Sequence, residues 1–281
     1  MSYVIDCVSI ANDIKNAVKA RIEAERLSVT LAVIHVEGDQ ASSVYVRNKK
    51  RACEAVGITS RIIRLANNTT EDELLGVIDM LNKDANINGI LVQFPLPKGL
   101  NELTVIKAIA PKKDVDGLHP TNMGKLLLGE RSGLFPCTPS GVIEVLKRTV
   151  LTSSLRGAKV AMVGASNLVG KPLAMMLTNL DATVTVCNVY TPELATITKE
   201  ADIVILATGN AKLFGADYFH EGAVVIDVGI NRDENGKLCG DVDFANVVDN
   251  VGHITPVPKG IGVMTVAMLM QNTLKAYDLQ Q

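Results

Sequence analysis

The strongest constraint on the fold is an alternation. Short apolar, β-branched runs, "SVTLAVIHV", "SRIIRLA" and "INGILVQFP", are separated by segments of helical period around 43–56 and 70–81. A strand covered on both faces reads as a continuous apolar run, and crossover helices supply the cover. The alternation therefore implies a parallel sheet with helices on both sides. The second helical segment carries its own start signal. Thr70 offers a capping hydroxyl, Glu71, Asp72 and Glu73 fill the first turn, and Thr70 and Glu73 have the spacing of a capping box.

The pattern restarts after "PKKDVDGLHPTNMGKLLLGERSGLFPCTPSG", whose Gly, Pro and polar content reads as connecting loops around a short helix. Beyond it, "GAKVAMVGA", "ATVTVCNV", "ADIVILATG" and "GAVVIDVGIN" read as strands, 168–180 as a helix, and 263–277 as a closing helix rich in Met and Leu. The expected fold class is α/β: two α/β domains around a cleft, the second a Rossmann-like dinucleotide-binding domain. The expected boundaries are 1–117 for the first domain, 118–137 for a connecting segment and 138–265 for the second. The last helix, 266–281, is expected to pack back on the first domain. Ligands would bind in the cleft, at the carboxyl ends of the strands.

With 281 residues, 47% of them hydrophobic, the chain is long enough for two cores. Its formal net charge of −2 argues against a nucleic-acid partner, whose phosphates need a basic surface. No apolar run reaches the roughly 20 residues that span a bilayer, so no membrane partner is expected. Ile10, Ile14, Val18 and Ile22 recur among Asp13, Lys15, Lys19 and Arg21, which reads as an amphipathic helix rather than a signal peptide. The five cysteines are scattered, with no CxxC and no histidine at ligand spacing. They read as reduced core residues, which implies a cytoplasmic protein without a metal site.

Two places carry chemistry. "VAMVGASNLVGKP" leaves a strand through Gly164, passes Ser166 and reaches Gly170 at a helix start, which lets backbone N–H groups approach a pyrophosphate. Its G-x-S-x-x-x-G spacing also fits a glycine turn in any α/β protein. The later strands "ILATGN" and "IDVGIN" end in glycine too, where a cofactor would lie against the strand tips. No acid follows "TVTVCNV", where a ribose-binding carboxylate is usual. The second place is "YVRNKKRAC". On a helix Tyr45 and Lys49 share a face, with Cys53 one turn further, while Lys50 and Arg51 point elsewhere. An arbitrary lysine here would simply snorkel to solvent; one crowded by Arg47 and Lys50 suits acid–base work. Gln93 closes the strand "GILVQFPLP", and Asp116 lies in "KKDVDG" beside Asp114, a competing residue that could cap the turn.

With these blocks, "PCTPSGV" and "ITPVPKGIGVMTVAML", the sequence resembles the bifunctional methylenetetrahydrofolate dehydrogenase/methenyltetrahydrofolate cyclohydrolase family over essentially its whole length. The resemblance implies oxidation of 5,10-methylenetetrahydrofolate with NAD(P), then hydrolysis of the methenyl product to 10-formyltetrahydrofolate. It also implies tetrahydrofolate derivatives as partners and a cytoplasmic homodimer. Lys49 matches the family's catalytic lysine, Tyr45 its pterin-side tyrosine, Gln93 the glutamine that orients the lysine, and Asp116 the pterin-binding aspartate. Pro258 and Gly260 fall on substrate-binding positions. Gly164, Ala165, Ser166, Val189, Thr208, Gly209 and Ile230 fall on cofactor-binding positions.

The chain departs from the family pattern at three places: Ala165 stands where G-R-S places arginine, Val189 and Tyr190 stand where Ser and a basic or polar residue are common, and Lys259 and Val263 replace Gly and Pro in the last loop. NADP is the family's usual cofactor. The missing cations predict that NAD serves at least comparably. Two rivals compete with this reading. A short-chain dehydrogenase shares the Y-x-x-x-K spacing but carries its glycine turn upstream of it. Loss of Lys49, Gln93 or Asp116 would have supported a folate- or nucleotide-binding protein that has lost catalysis, and all three are present.

Overall fold

The computed structural model describes residues 3–37, 40–149 and 154–281, the side chains of 40–45 excepted. In chain order its main elements are β1 (Tyr3–Val4), α1 (Cys7–Glu25), β2 (Thr30–Val36), α2 (Gln40–Ala55), β3 (Thr59–Leu65), α3 (Glu71–Lys83) and β4 (Gly89–Val92). There follow α4 (Glu102–Ala108), α5 (Pro120–Leu127), α6 (Cys137–Thr149), β5 (Lys159–Val163), α7 (Gly170–Thr178), β6 (Thr183–Cys187), α8 (Leu194–Lys199) and β7 (Ile203–Leu206). The chain ends with β8 (Val224–Asp227), β9 (Asn231–Arg232), β10 (Leu238–Cys239), α9 (Phe244–Val247), β11 (His253–Ile254) and α10 (Ile261–Asp278).

Two compact units form. One holds Asp13–Cys137 and Val266–Gln281, the other Met1–Asn12 and Thr138–Thr265. In the first, a three-stranded parallel sheet has the order β3-β2-β4. Central β2 is buried along nearly its whole length, and β4 throughout. Ala32, Ile34 and Val36 alternate onto one face of β2 and pack with Leu74, Ile78 and Leu81 of α3 and with Val105 and Ile109. Helix α3 starts as its sequence dictates, since both halves of the Thr70–Glu73 capping box are present.

The second unit carries a six-stranded parallel sheet in the order β1-β11-β8-β7-β5-β6. Its core joins Ala161 and Val163 of β5, Val204 and Leu206 of β7 and Val225 of β8 to Phe214, Val242 and Val247. Strand order reverses at β5, which pairs with both β6 and β7. A crevice at such a reversal is where open α/β sheets bind ligands.

The expected boundaries need two corrections. Tyr3 and Val4 pair with His253 and Ile254, so the first residues extend the second sheet rather than the first. An isolated edge strand is unstable without a ladder partner, and a two-residue strand has no periodicity to reveal its sheet. Residues 118–137 also do not stand apart, because they cluster with the first unit. There the Phe135 backbone lies against Gly117, which has φ of 74°, so closely that a Cβ would collide with the Phe135 carbonyl carbon.

Candidate functional site

In the first unit the carboxyl end of β4 meets α2. The Gln93 amide donates to the Ile34 carbonyl at 2.9 Å, which extends the β2–β4 ladder by one residue. Its side chain then turns to α2, where Lys49 Nζ donates to Gln93 Oε1 at 2.9 Å. The other end of that amide is anchored too, because Gln93 Nε2 donates to the Phe94 carbonyl at 2.6 Å. Held at both ends, the glutamine presents an acceptor to the lysine and no donor. Cys53, on the same face of α2, is fully buried, whereas Arg47, Lys50 and Arg51 are exposed and Lys50 pairs with Glu54 at 3.6 Å. The basic run therefore splits into one inward lysine and a solvated remainder. Tyr45 belongs to α2, but its side chain lies outside the described residues.

The two aspartates of "KKDVDG" separate completely. Asp114 is buried, and its carboxylate accepts from the Gly117 amide at 3.1 Å, the His119 amide at 2.8 Å and Asn122 Nδ2 at 2.9 Å. It caps the turn. Asp116 is half-buried, and among the described residues no hydrogen bond holds its carboxylate. Burial pushes the Asp116 carboxyl up from its ordinary value, the Lys49 charge pulls it back, and Asp114 adds to the upward push. Lys49, Gln93 and Asp116 thus form one cluster in which a lysine Nζ, a fixed acceptor and an unclaimed carboxyl meet.

Residues that sequence reasoning missed hold the Asp116 loop. Asn272 of α10 donates to the Val115 carbonyl at 2.9 Å and to the Phe135 carbonyl at 2.8 Å. Asn122 also donates to the Pro111 carbonyl at 2.9 Å, and buried Lys113 donates to the Leu81 and Asp84 carbonyls at the end of α3. The signal was present, since a polar residue such as Asn272 inside an apolar helical face needs a buried partner.

In the second unit, the turn after β5 is built around two glycines. Gly164 has φ of 118°, and a Cβ there would collide with the Ala207 carbonyl oxygen at the end of β7. A Cβ on Gly170 would overlap the Gly164 carbonyl oxygen. Backbone thus packs directly on backbone at the strand-order reversal, an approach that only glycine permits at these two positions. Ser166 Oγ accepts from the Val169 amide at 3.1 Å, and the first turn of α7 has no side-chain cap. Ala165 lies partly exposed, and Val189 and Tyr190 beyond β6 are each 90% exposed. Lys171 Nζ donates to Asn167 Oδ1 at 2.8 Å.

Thr208 and Gly209 follow β7, and Ile230 follows β8 at half exposure. Pro258 and Gly260 lie in this unit, between β11 and α10, and not in the unit of Lys49. Between them Lys259 holds φ of 75°, a left-handed conformation that favours glycine. The Tyr45–Lys49 helix and the glycine turn belong to different units, unlike a short-chain dehydrogenase. Among the described residues no helix is long and apolar enough to cross a membrane.

Comparison with known proteins places both halves. A family model described as tetrahydrofolate dehydrogenase/cyclohydrolase, catalytic domain, matches residues 5–116. The NAD(P)-binding domain of the same family matches residues 136–281. The bifunctional protein FolD of Agathobacter rectalis is 50% identical over 279 residues, which is 98% of this chain and 99% of that protein. A crystal structure of the bifunctional FolD enzyme from Campylobacter jejuni is 43% identical with a TM-score of 0.95, and the match covers 99% of both chains. The Trypanosoma brucei enzyme, solved with NADP cofactor and inhibitor, is 34% identical with a TM-score of 0.92, over 99% of this chain and 97% of that one.

Proposed function

Because the chain belongs to the tetrahydrofolate dehydrogenase/cyclohydrolase family, we infer that it oxidises 5,10-methylenetetrahydrofolate with a nicotinamide cofactor and hydrolyses the methenyl product. The observation that carries this reading is the Lys49–Gln93 hydrogen bond beside an unclaimed Asp116. The bound nicotinamide would take the hydride from a carbon flanked by two nitrogens, which stabilise the cation left behind. That step needs alignment more than a strong base. Gly164, Ala165, Ser166, Val189, Thr208, Gly209 and Ile230 are the residues that would hold the cofactor, and the tight glycine turn leading into the uncapped N-terminus of α7 suits its pyrophosphate.

Hydrolysis needs proton movement. Water adds to the cationic carbon and the Lys49 amine takes one of its protons. The resulting ammonium supplies a proton to the ring nitrogen as its bond to that carbon breaks, and the remaining hydroxyl proton leaves to solvent as the formyl carbonyl forms. Gln93 fixes the lysine's direction, since an anchored acceptor leaves the remaining Nζ positions aimed at substrate. Asp116 and Tyr45 bind the pterin side, and Pro258 and Gly260 contribute substrate contacts. The test is direct. Purified protein mixed with methylenetetrahydrofolate and either cofactor should produce reduced nicotinamide and 10-formyltetrahydrofolate, and production of neither would overturn the reading.

Two finer readings belong with it. We propose that NAD is used at least comparably to NADP, because Ala165, Val189 and Tyr190 offer no charge to a 2′-phosphate and Lys171 is engaged with Asn167. A hydrogen bond to a charged group contributes about 1.5–3 kcal/mol, so its loss costs roughly one to two decades of affinity. Comparison of kcat/KM for both cofactors, in the unaltered protein and in Ala165→Arg, tests this; a strong NADP preference that the arginine does not change would overturn it. We also propose a cytoplasmic homodimer, as read from the family resemblance; light scattering of the purified protein checks the dimer, and cell fractionation checks the location.

A further inference from the structure

One buried group has no part in the chemistry above. Asp241 is fully buried, yet its carboxylate accepts five N–H or O–H donors. Its Oδ2 accepts from the Thr208 amide, from Thr208 Oγ1 at 2.9 Å and from the Gly209 amide at 3.2 Å. Its Oδ1 accepts from the Asn210 amide at 3.1 Å and from Asn231 Nδ2 at 2.8 Å. One side chain therefore ties the segment after β7 to the segment after β8. These segments carry Thr208, Gly209 and Ile230.

Asp241 is itself held by a second acid. Asp227, the last residue of β8, accepts from the Asp241 amide at 3.0 Å, the Val242 amide at 2.9 Å and the Gly229 amide at 2.9 Å. The neighbouring glycines are dictated by this clasp. A Cβ on Gly229 would collide with Asp241 Oδ1, and one on Gly240 would collide with Asp227 Oδ2. A carboxylate that accepts several backbone N–H groups acts as a rigid template, because each amide it holds loses its freedom to turn.

We propose that Asp241 is the positioning residue of the cofactor side, setting through one carboxylate the two loops on which the nicotinamide cofactor lies. The proposal rests on the dehydrogenase reading above. That reading also supplies an internal control, because hydrolysis of methenyltetrahydrofolate needs no nicotinamide.

The experiment compares both activities in the unaltered protein, Asp241→Asn and Asn231→Ala. Asp241→Asn replaces one oxygen by a donor that faces donors, so the cofactor KM should rise at least tenfold while cyclohydrolase kcat/KM stays within twofold. Asn231→Ala removes only the link to the β8 loop and should raise the cofactor KM about threefold with cyclohydrolase again unchanged. If Asp241→Asn does not accumulate as folded protein, the Asn231→Ala result decides alone. A cofactor KM within twofold of the unaltered protein would overturn the proposal and leave the functional reading standing. Equal losses in both activities would overturn it in favour of a purely structural clasp. An unaltered protein that reduces no nicotinamide would overturn both the reading and the proposal built on it.

Discussion

Asp114 and Asp116 stand two residues apart in one short motif, and their environments give them opposite work. Three donors occupy the Asp114 carboxylate, so Asp114→Asn places an amide against donors and should lower stability by about 1–3 kcal/mol. Asp116→Asn leaves no such partner unsatisfied. It should weaken folate binding by roughly one to two decades with little change in melting temperature or cofactor affinity. Titration with a folate ligand beside thermal melts of both variants checks the pair; a large melting shift for Asp116→Asn with unchanged folate binding would assign it to structure. Lys49 belongs at the same scale. Lys49→Met removes the proposed proton carrier and should slow hydrolysis of methenyltetrahydrofolate by about 10²–10⁴. A folded variant that hydrolyses at the unaltered rate would sink the assignment. The motif was legible in the sequence. Which aspartate was free was not, because that depends on His119 and Asn122 folding back onto one of them.

Among the elements, α10 does more than pack. Its Asn272 amide reaches the Val115 and Phe135 carbonyls, one on each side of the loop that carries Asp116. Asn272→Leu would bury two carbonyls without that partner, at a cost of about 1–3 kcal/mol. The expected outcome is a lower denaturant midpoint together with weaker folate binding, since Val115 adjoins Asp116. A stable variant with normal folate affinity would show that the clamp is dispensable. Helix α1 announced itself by its period, α3 by its capping box as well, and α10 as a segment rich in Met and Leu. The shorter α4 and α8 did not, since seven and six residues hold too few turns to show a stripe.

For the whole molecule, the buried acids of the six-stranded sheet leave a pH signature. Asp227 is pushed up from 3.8 to about 6, chiefly by burial, with the Asp241 charge adding and the Val242, Asp241 and Gly229 amides opposing. A raised carboxyl contributes stability that is fully present below about 3.8 and is lost as pH rises through about 6. That rise in proton affinity on folding corresponds to about 3 kcal/mol, since each tenfold change is about 1.4 kcal/mol. The stability of the unaltered protein relative to Asp227→Asn should therefore fall by about that amount between pH 4 and 6 and be flat above 7. Melts across that range check it, and a flat difference would mean that Asp227 is charged throughout. The alternation of apolar runs and helical periods by itself determined two α/β units, most of their strands and the chemistry-bearing motifs, because burial on two faces and helical cover are written as local patterns. Only the tertiary structure decided that Tyr3 and Val4 join the second sheet, that Asp114 is spent while Asp116 is free, and that Asp241 clasps the loops of β7 and β8. Each of these depends on hydrogen-bond partners far away in the chain, and a buried polar group takes its role from the partners that the fold brings to it.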